Sequence, residues 1–124
     1  MSGLIRKLGQ VALSVRDLDR AIGFYRDLLG LPYIWSNAHM AFFHVQETRL
    51  LIEIPEAPKF DHPGSVPYFA VADIDEAVRH LAARGAVFDD LPHHIGDLGK
   101  VAVWMTFFHD PEGNLLALQC ERPV

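Results

Sequence analysis

The run Val11-Ala-Leu-Ser-Val-Arg-Asp-Leu-Asp-Arg-Ala-Ile22 returns without a gap as Pro67-Tyr-Phe-Ala-Val-Ala-Asp-Ile-Asp-Glu-Ala-Val78. Identities fall at Val15/Val71, Asp17/Asp73, Asp19/Asp75 and Ala21/Ala77, with conservative exchanges at Leu18/Ile74 and Ile22/Val78. A pattern repeated this closely is the mark of one structural unit used twice. Each copy begins with the period of a strand: Val11, Leu13 and Val15 alternate with Gln10, Ala12 and Ser14, so the two sets face opposite ways. From Leu18 the apolar spacing changes to threes and fours through Ala21, Ile22, Tyr25, Leu28 and Leu29, which predicts an amphipathic helix capped by Asp17 and closed at Gly30.

Working outward, Pro32–Trp35, Met40–Val45 and Arg49–Ile54 read as three strands, the last two joined across Gln46-Glu47-Thr48. The first unit is therefore βαβββ. Residues 55–64 carry three prolines and a glycine, which predicts a connector without regular structure. The second unit repeats the order: a strand at Val66–Val71, a helix with Ile74, Ala77, Val78, Leu81 and Ala82 on one face and Gly85 at its end, strands within Val87–Ile95 and Lys100–Phe108, and a closing strand at Leu115–Cys120. Asp110-Pro-Glu-Gly-Asn114 is a turn, because Pro fixes φ while Gly and Asn tolerate φ > 0. The hairpins echo as well: Phe42-Phe43-His44 and Leu50-Leu51 flank one turn, Phe107-Phe108-His109 and Leu115-Leu116 the other.

Composition narrows the function classes. A chain of 124 residues, half of them apolar, is read as one domain, large enough to bury roughly two-thirds of its unfolded surface without staples. No run approaches the roughly 20 apolar residues of a membrane span, and residues 1–7 lack the apolar centre of an export signal. A single cysteine, Cys120, permits no internal disulfide, so a cytoplasmic location is expected. A net charge of −5 with no Lys/Arg run argues against nucleic acid as a partner.

The duplicated βαβββ order, the Val15-to-Gly30 run Val-x-Asp-Leu-Asp-x-Ala-x-x-Phe-Tyr-x-x-x-Leu-Gly, and Phe-x-Asp-Pro-Glu-Gly-Asn-Leu-Leu near the end resemble the vicinal oxygen chelate superfamily. That group includes glyoxalase I, bleomycin resistance proteins, extradiol dioxygenases and methylmalonyl-CoA epimerase. The resemblance implies an α+β fold in which two βαβββ repeats, about 8–54 and about 65–120, form a curved eight-stranded mixed sheet around a cavity, with the helices outside. It also implies a homodimer. A fold of this kind hosts many reactions, so it does not itself assign one.

Metal-dependent members of the superfamily carry one ligand at each of four sheet positions, two per repeat. The resemblance places Gln10 at the first and Glu53 at the second, whereas Val66 and Ala117 occupy the third and fourth. A valine and an alanine donate no electron pair, and an amide with one carboxylate is too weak a set to hold a divalent ion. No metal and no cofactor are therefore expected; any residual site would rest on Gln10 and Glu53. Adjacent His93 and His94 point to opposite faces of a strand and cannot chelate as a pair. His39, His44, His62, His80 and His109 fall at turns, strand ends or a polar helix face. The Pro92-His93 strand start followed by Trp104-Met-x-Phe-Phe is similar to one branch of the superfamily, which leaves His93 as either a cavity residue or a surface one.

Alternation groups Gln10, Ala12 and Ser14 with Val66, Tyr68 and Ala70, and with Leu51, Glu53, Leu115, Ala117 and Gln119. This face is small and partly polar where a core face would be aliphatic, as expected of a lined pocket. Its predicted ligand-binding residues are Gln10, Glu53, Tyr68, His93 and Trp104. Glu53, if desolvated among aromatic groups, is also a candidate general base for an isomerase-type step. The expected function is metal-independent binding of a small organic molecule; the alternative is an enzyme of this superfamily, a lyase, epimerase or dioxygenase relative, using Glu53 as base or a metal bound at a site the sequence does not predict.

Overall fold

The computed structural model describes residues 4–124, arranged as two compact units that divide between Gly64 and Ser65. In the first, β1 (Gln10–Ser14) leads to α1 (Leu18–Ile22), and β2 (Tyr33–Ser36), β3 (Met40–Val45) and β4 (Thr48–Glu53) follow. The strands form one sheet in the order β1-β4-β3-β2, with β1 parallel to β4 and the other pairs antiparallel. The second unit repeats it with β5 (Tyr68–Ala70), α2 (Ile74–Ala83), β6 (His93–Leu98), β7 (Val101–His109) and β8 (Leu115–Pro123), in the order β5-β8-β7-β6. The α+β class and the duplicated βαβββ plan are thus present, and the eight strands fall into two mixed sheets of four.

The duplication extends to the caps. Asp17 Oδ1 accepts from the Arg20 amide and Asp73 Oδ1 from the Glu76 amide, each at 3.1 Å, so each helix start satisfies one orphan donor in the same way, worth about 1 kcal/mol. Gly30 and Gly85, where the sequence ends each helix, have φ of 74° and 108°, a region where a Cβ is penalised. In the first unit α1 packs on β3 and β4, burying Leu13, Val15, Ala21, Ile22, Phe43, Leu50 and Ile52. In the second, α2 lies against β8, and Ile74, Leu81, Phe108, Leu116, Leu118 and Cys120 are buried.

Three features differ from the sequence reading. The first helix does not continue as an α-helix; it widens into a π-helical segment at Gly23–Leu28, with the Leu29 amide bonded to Phe24 O at 2.9 Å. The wider turn buries both Phe24 and Tyr25, whose rings meet edge to face at 5.0 Å; strict α spacing favours only Tyr25. The predicted strand at Val87–Ile95 is reduced to an isolated bridge at Phe88, and β6 starts at His93. The connector carries a 3₁₀ turn at Pro58–Phe60 and folds back on β1: Ser14 Oγ donates to Phe60 O at 2.8 Å, and Arg16 pairs with Asp61 at 3.0 Å. Among the described residues no helix is long and apolar enough to cross a membrane.

Candidate functional site

Each sheet has a helix-bearing face and a helix-free face, and strand pairing assigns every candidate residue to one of them. In the first unit β1 and β4 pair as Gln10↔Arg49, Ala12↔Leu51 and Ser14↔Glu53, and β3 continues these rows through His44, Phe42 and Met40. Trp35, paired with Phe42, extends the middle row. Opposite residues in a ladder share a face, so these side chains lie on the helix-free face. There the Trp35 and Phe42 rings are 6.1 Å apart, and the Arg49 guanidinium lies over Phe42 at 5.6 Å.

The register does not bring Gln10 and Glu53 together. Gln10 opens β1 whereas Glu53 pairs with Ser14, four residues further along, which puts the two places roughly 13 Å apart at strand rise. That span exceeds what two ligands of one ion can bridge, so the Gln10–Glu53 pair does not fit the metal of the superfamily. Among the described residues no group of three or more His, Cys, Asp or Glu side chains is placed to hold an ion.

In the second unit Tyr68 pairs with Ala117, and Ala117 with Phe107. Tyr68 and Phe107 stand two strands apart, yet their rings meet edge to face at 6.1 Å. The contact exists because Ala117 between them, wholly buried, has no bulk to keep them apart. His93, opposite Met105, adds its ring 6.5 Å from that of Phe107. Tyr68, Phe107 and His93 therefore make one continuous aromatic surface across the sheet. Tyr68 is 47 % exposed, so the surface is reachable.

Trp104 is not part of it. It pairs with Cys120 and His94, lies under the Arg122 guanidinium at 4.9 Å, and belongs to the helix-bearing face, where Arg122 bonds Asp75 of α2 at 3.0 Å. That hydrogen bond to Asp75 holds the Arg122 guanidinium further up than usual. Adjacent His93 and His94 do point to opposite faces, as their spacing predicted.

Two residues escaped sequence reasoning. Asp90, in the loop before β6, accepts from Thr106 Oγ1 at 2.8 Å and from the Phe107 amide at 3.2 Å, and its Oδ2 lies 3.4 Å from His93 Nδ1. Phe107 supplies the floor of the aromatic surface. The Asp90-Leu-Pro-His93 spacing is the only local signal for the first, and nothing in the sequence separates Phe107 from Phe108. An open cleft of ≈ 590 Å³ between the start of α1 and the β2–β3 turn is lined by Arg16, Asp17, Asn37 and Ile54 among others; none of the sequence-selected residues borders it.

Comparison with known proteins places this arrangement. The family model described as Glyoxalase/Bleomycin resistance protein/Dioxygenase superfamily matches residues 7–118. The chain is 29 % identical over 126 aligned positions to the uncharacterized protein YraH of Bacillus subtilis (strain 168), covering 90 % of this chain and 96 % of that one. A superfamily member from Sphaerobacter thermophilus DSM 20745 has a similar structure, with a TM-score of 0.80 at 24 % identity over 94 % of this chain and 98 % of that one. A lactoylglutathione lyase from Agrobacterium tumefaciens gives 0.73 at 23 % identity, with 92 % of each chain covered. At these identities the two structures speak for the fold alone.

Proposed function

The chain belongs to the glyoxalase/bleomycin resistance protein/dioxygenase superfamily, and on that premise we propose that it is a metal-independent binding protein for a small organic molecule, working as a homodimer in the cytoplasm. The observation that carries the reading is the donor set. Of the four places that the sequence resemblance assigns to metal ligands, Val66 and Ala117 have no donor atom, and Gln10 and Glu53 are separated by the β1–β4 register. In place of a ligand, Ala117 leaves the gap that lets Tyr68 and Phe107 meet. A planar or amphipathic guest is the chemistry such a surface favours.

An enzyme using Glu53 as base has less support. Its partners in register are Ser14 and Met40, and the Ser14 hydroxyl already donates to Phe60 O. Met40 carries no donor and the Ser14 hydroxyl is engaged, so neither register neighbour is placed to serve a developing oxyanion.

Metal analysis of protein purified without chelator, combined with calorimetric titration of planar aromatic compounds, tests the proposal. Metal well below one ion per chain together with saturable binding is the expected result. Stoichiometric transition metal, or no binding across the panel, would overturn it.

A further inference from the structure

We propose that His93 is the proton acceptor of this site and that its ligand is a planar molecule with an ionisable hydroxyl, a phenol or an enol, seated on Phe107. The inference rests on the binding reading above and names the class of molecule bound.

Asp90 is fixed, not a freely solvated surface acid. The hydroxyl of Thr106, a residue with 0 % exposure, faces both Asp90 Oδ1 at 2.8 Å and Asp90 O at 3.0 Å, and the Phe107 amide donates to Oδ1 at 3.2 Å. Two donors on β7 thus aim the second oxygen, Oδ2, at His93 Nδ1, 3.4 Å away. Nδ1 also lies 3.1 Å from Leu91 O. Both neighbours are acceptors, so Nδ1 carries the hydrogen of the neutral ring and Nε2 holds the lone pair. Among the described residues Nε2 has no hydrogen-bond partner. Side-chain exposures of 45 % for His93 and 37 % for Asp90 leave the pair open to a ligand.

The aromatic surface determines what can reach it. A flat ring laid on Phe107, with Tyr68 as its wall, brings a substituent at its edge toward His93. The charged groups nearest the imidazole on this face are carboxylates. Asp90 faces it directly. The Asp89 carboxylate pairs with His109 at 3.4 Å, two residues along β7 from Phe107 on the same face. Across β7 and β8 the neighbours are Met105 and the uncharged Gln119. His94, Asp97 and Arg122 belong to or pair across the opposite face. Among the described residues of this sheet no lysine or arginine lies on the helix-free face to compete for the anion. In the step itself the ligand O–H bond breaks, its electron pair stays on oxygen, the proton goes to Nε2, and Asp90 remains ionised beside the new imidazolium. The balance is that of a proton transfer, with no oxidant or other co-reactant.

A plain apolar patch would instead bind the neutral form of such a molecule. The test is titration of 4-nitrophenol with the full-length protein at a pH below the compound's own ionisation, following the phenolate absorption band, with calorimetry for affinity. The expected result is a phenolate band that grows to saturation. His93→Gln should retain binding but lose the band, Asp90→Asn should weaken the band more than the affinity, and Phe107→Ala should lose binding; urea unfolding confirms that each variant folds. Binding without the band, or an unchanged band in His93→Gln, would overturn the role of His93 and leave the binding reading standing. No heat and no band with any planar phenol would overturn both.

Discussion

Glu53 and Gln119 hold the same place in the two repeats: the Val15 amide donates to Glu53 O at 2.9 Å and the Val71 amide to Gln119 O at 2.8 Å. Because Val15 and Val71 are themselves matched, the counterpart of Ala117 is Leu51, opposite Ala12 as Ala117 is opposite Tyr68. The place two residues earlier on β4, where a second ligand would stand by symmetry, is therefore apolar. In this light Glu53 is the end of a strand and not the survivor of a metal site.

Glu53→Gln is accordingly expected to leave the metal content of the purified protein unchanged and low, and to leave its melting temperature insensitive to added Ni²⁺ or Zn²⁺. Elemental analysis and thermal unfolding with and without metal check this. A metal-dependent rise in stability that disappears in Glu53→Gln would contradict the register argument.

Ala117→Glu would restore the type of residue that the metal enzymes carry, at a position with 0 % exposure between two aromatic rings. A lone buried carboxylate is destabilising, on the order of 2–4 kcal/mol at neutral pH. Burial raises the folded-state value of such a group, so its penalty is present above the ordinary carboxylate range and fades as the pH falls to about 4. Urea unfolding at both pH values should show the difference from wild type shrinking on acidification.

The Asp110-Pro-Glu-Gly-Asn114 turn was readable as chemistry, and its structure supports a strong effect. Asp110, 5 % exposed, accepts from the Glu112 and Asn114 amides at 2.9 Å and from Asn114 Nδ2 at 2.8 Å, and Gly113 takes φ of 86°. Asp110→Ala should cost roughly 2–3 kcal/mol, since the amides lose a charged acceptor. Denaturant unfolding measures it, and a change within a few tenths would show that water replaces the carboxylate.

What the sequence made legible was whatever depends on neighbours in the chain. The repeat, the two Asp caps, the closing glycines and the Asp110 turn are local, and each is found where its residues are. Register is not local. Matching Leu50-Leu51 to Leu115-Leu116 by eye misplaces the echo by one residue, since Phe43 pairs with Leu50 but Phe108 with Leu116. That single step moves the counterpart of Ala117 from Ile52 to Leu51, and Glu53 is two residues beyond it. Trp104 parts from Tyr68 for the same reason: its face follows from pairing with Cys120, which periodicity does not reveal. Asp90 reaches His93 through a loop shape set by Thr106, 16 residues away.

The Arg26–Asp27 pair gives a small pH effect of known sign. Hydrogen bonding to Arg26, at 2.9 Å and 3.1 Å, holds the Asp27 carboxyl below its usual range. A lowered carboxylate contributes stability that is present above its unfolded-state value and is lost as the pH falls through the folded one. Asp27→Asn should therefore be slightly less stable than wild type at pH ~7 and equal to it at pH ~2. Parallel urea curves at the two pH values decide the point; a gap that widens in acid would reverse the sign.

Tyr68 and Trp104 are both aromatic and partly exposed, yet the sheet places them on opposite faces, so only the first should affect ligand binding. Tyr68→Ala removes the edge-to-face partner of Phe107 and one wall of the surface. A loss of about 1.4 kcal/mol, a tenfold weaker Kd for a planar phenol, is the scale expected of one aromatic contact. Trp104→Phe keeps the apolar body beneath Arg122 and changes nothing on the ligand side, so the affinity should stay within about twofold while the protein loses some of its cation–π stabilisation. Calorimetric titration of both variants against the same compound separates the faces. Equal losses in the two would mean that the ligand lies elsewhere; a loss confined to Trp104→Phe would move the site to the helix-bearing face, where Arg122 rather than His93 would be the group that meets it.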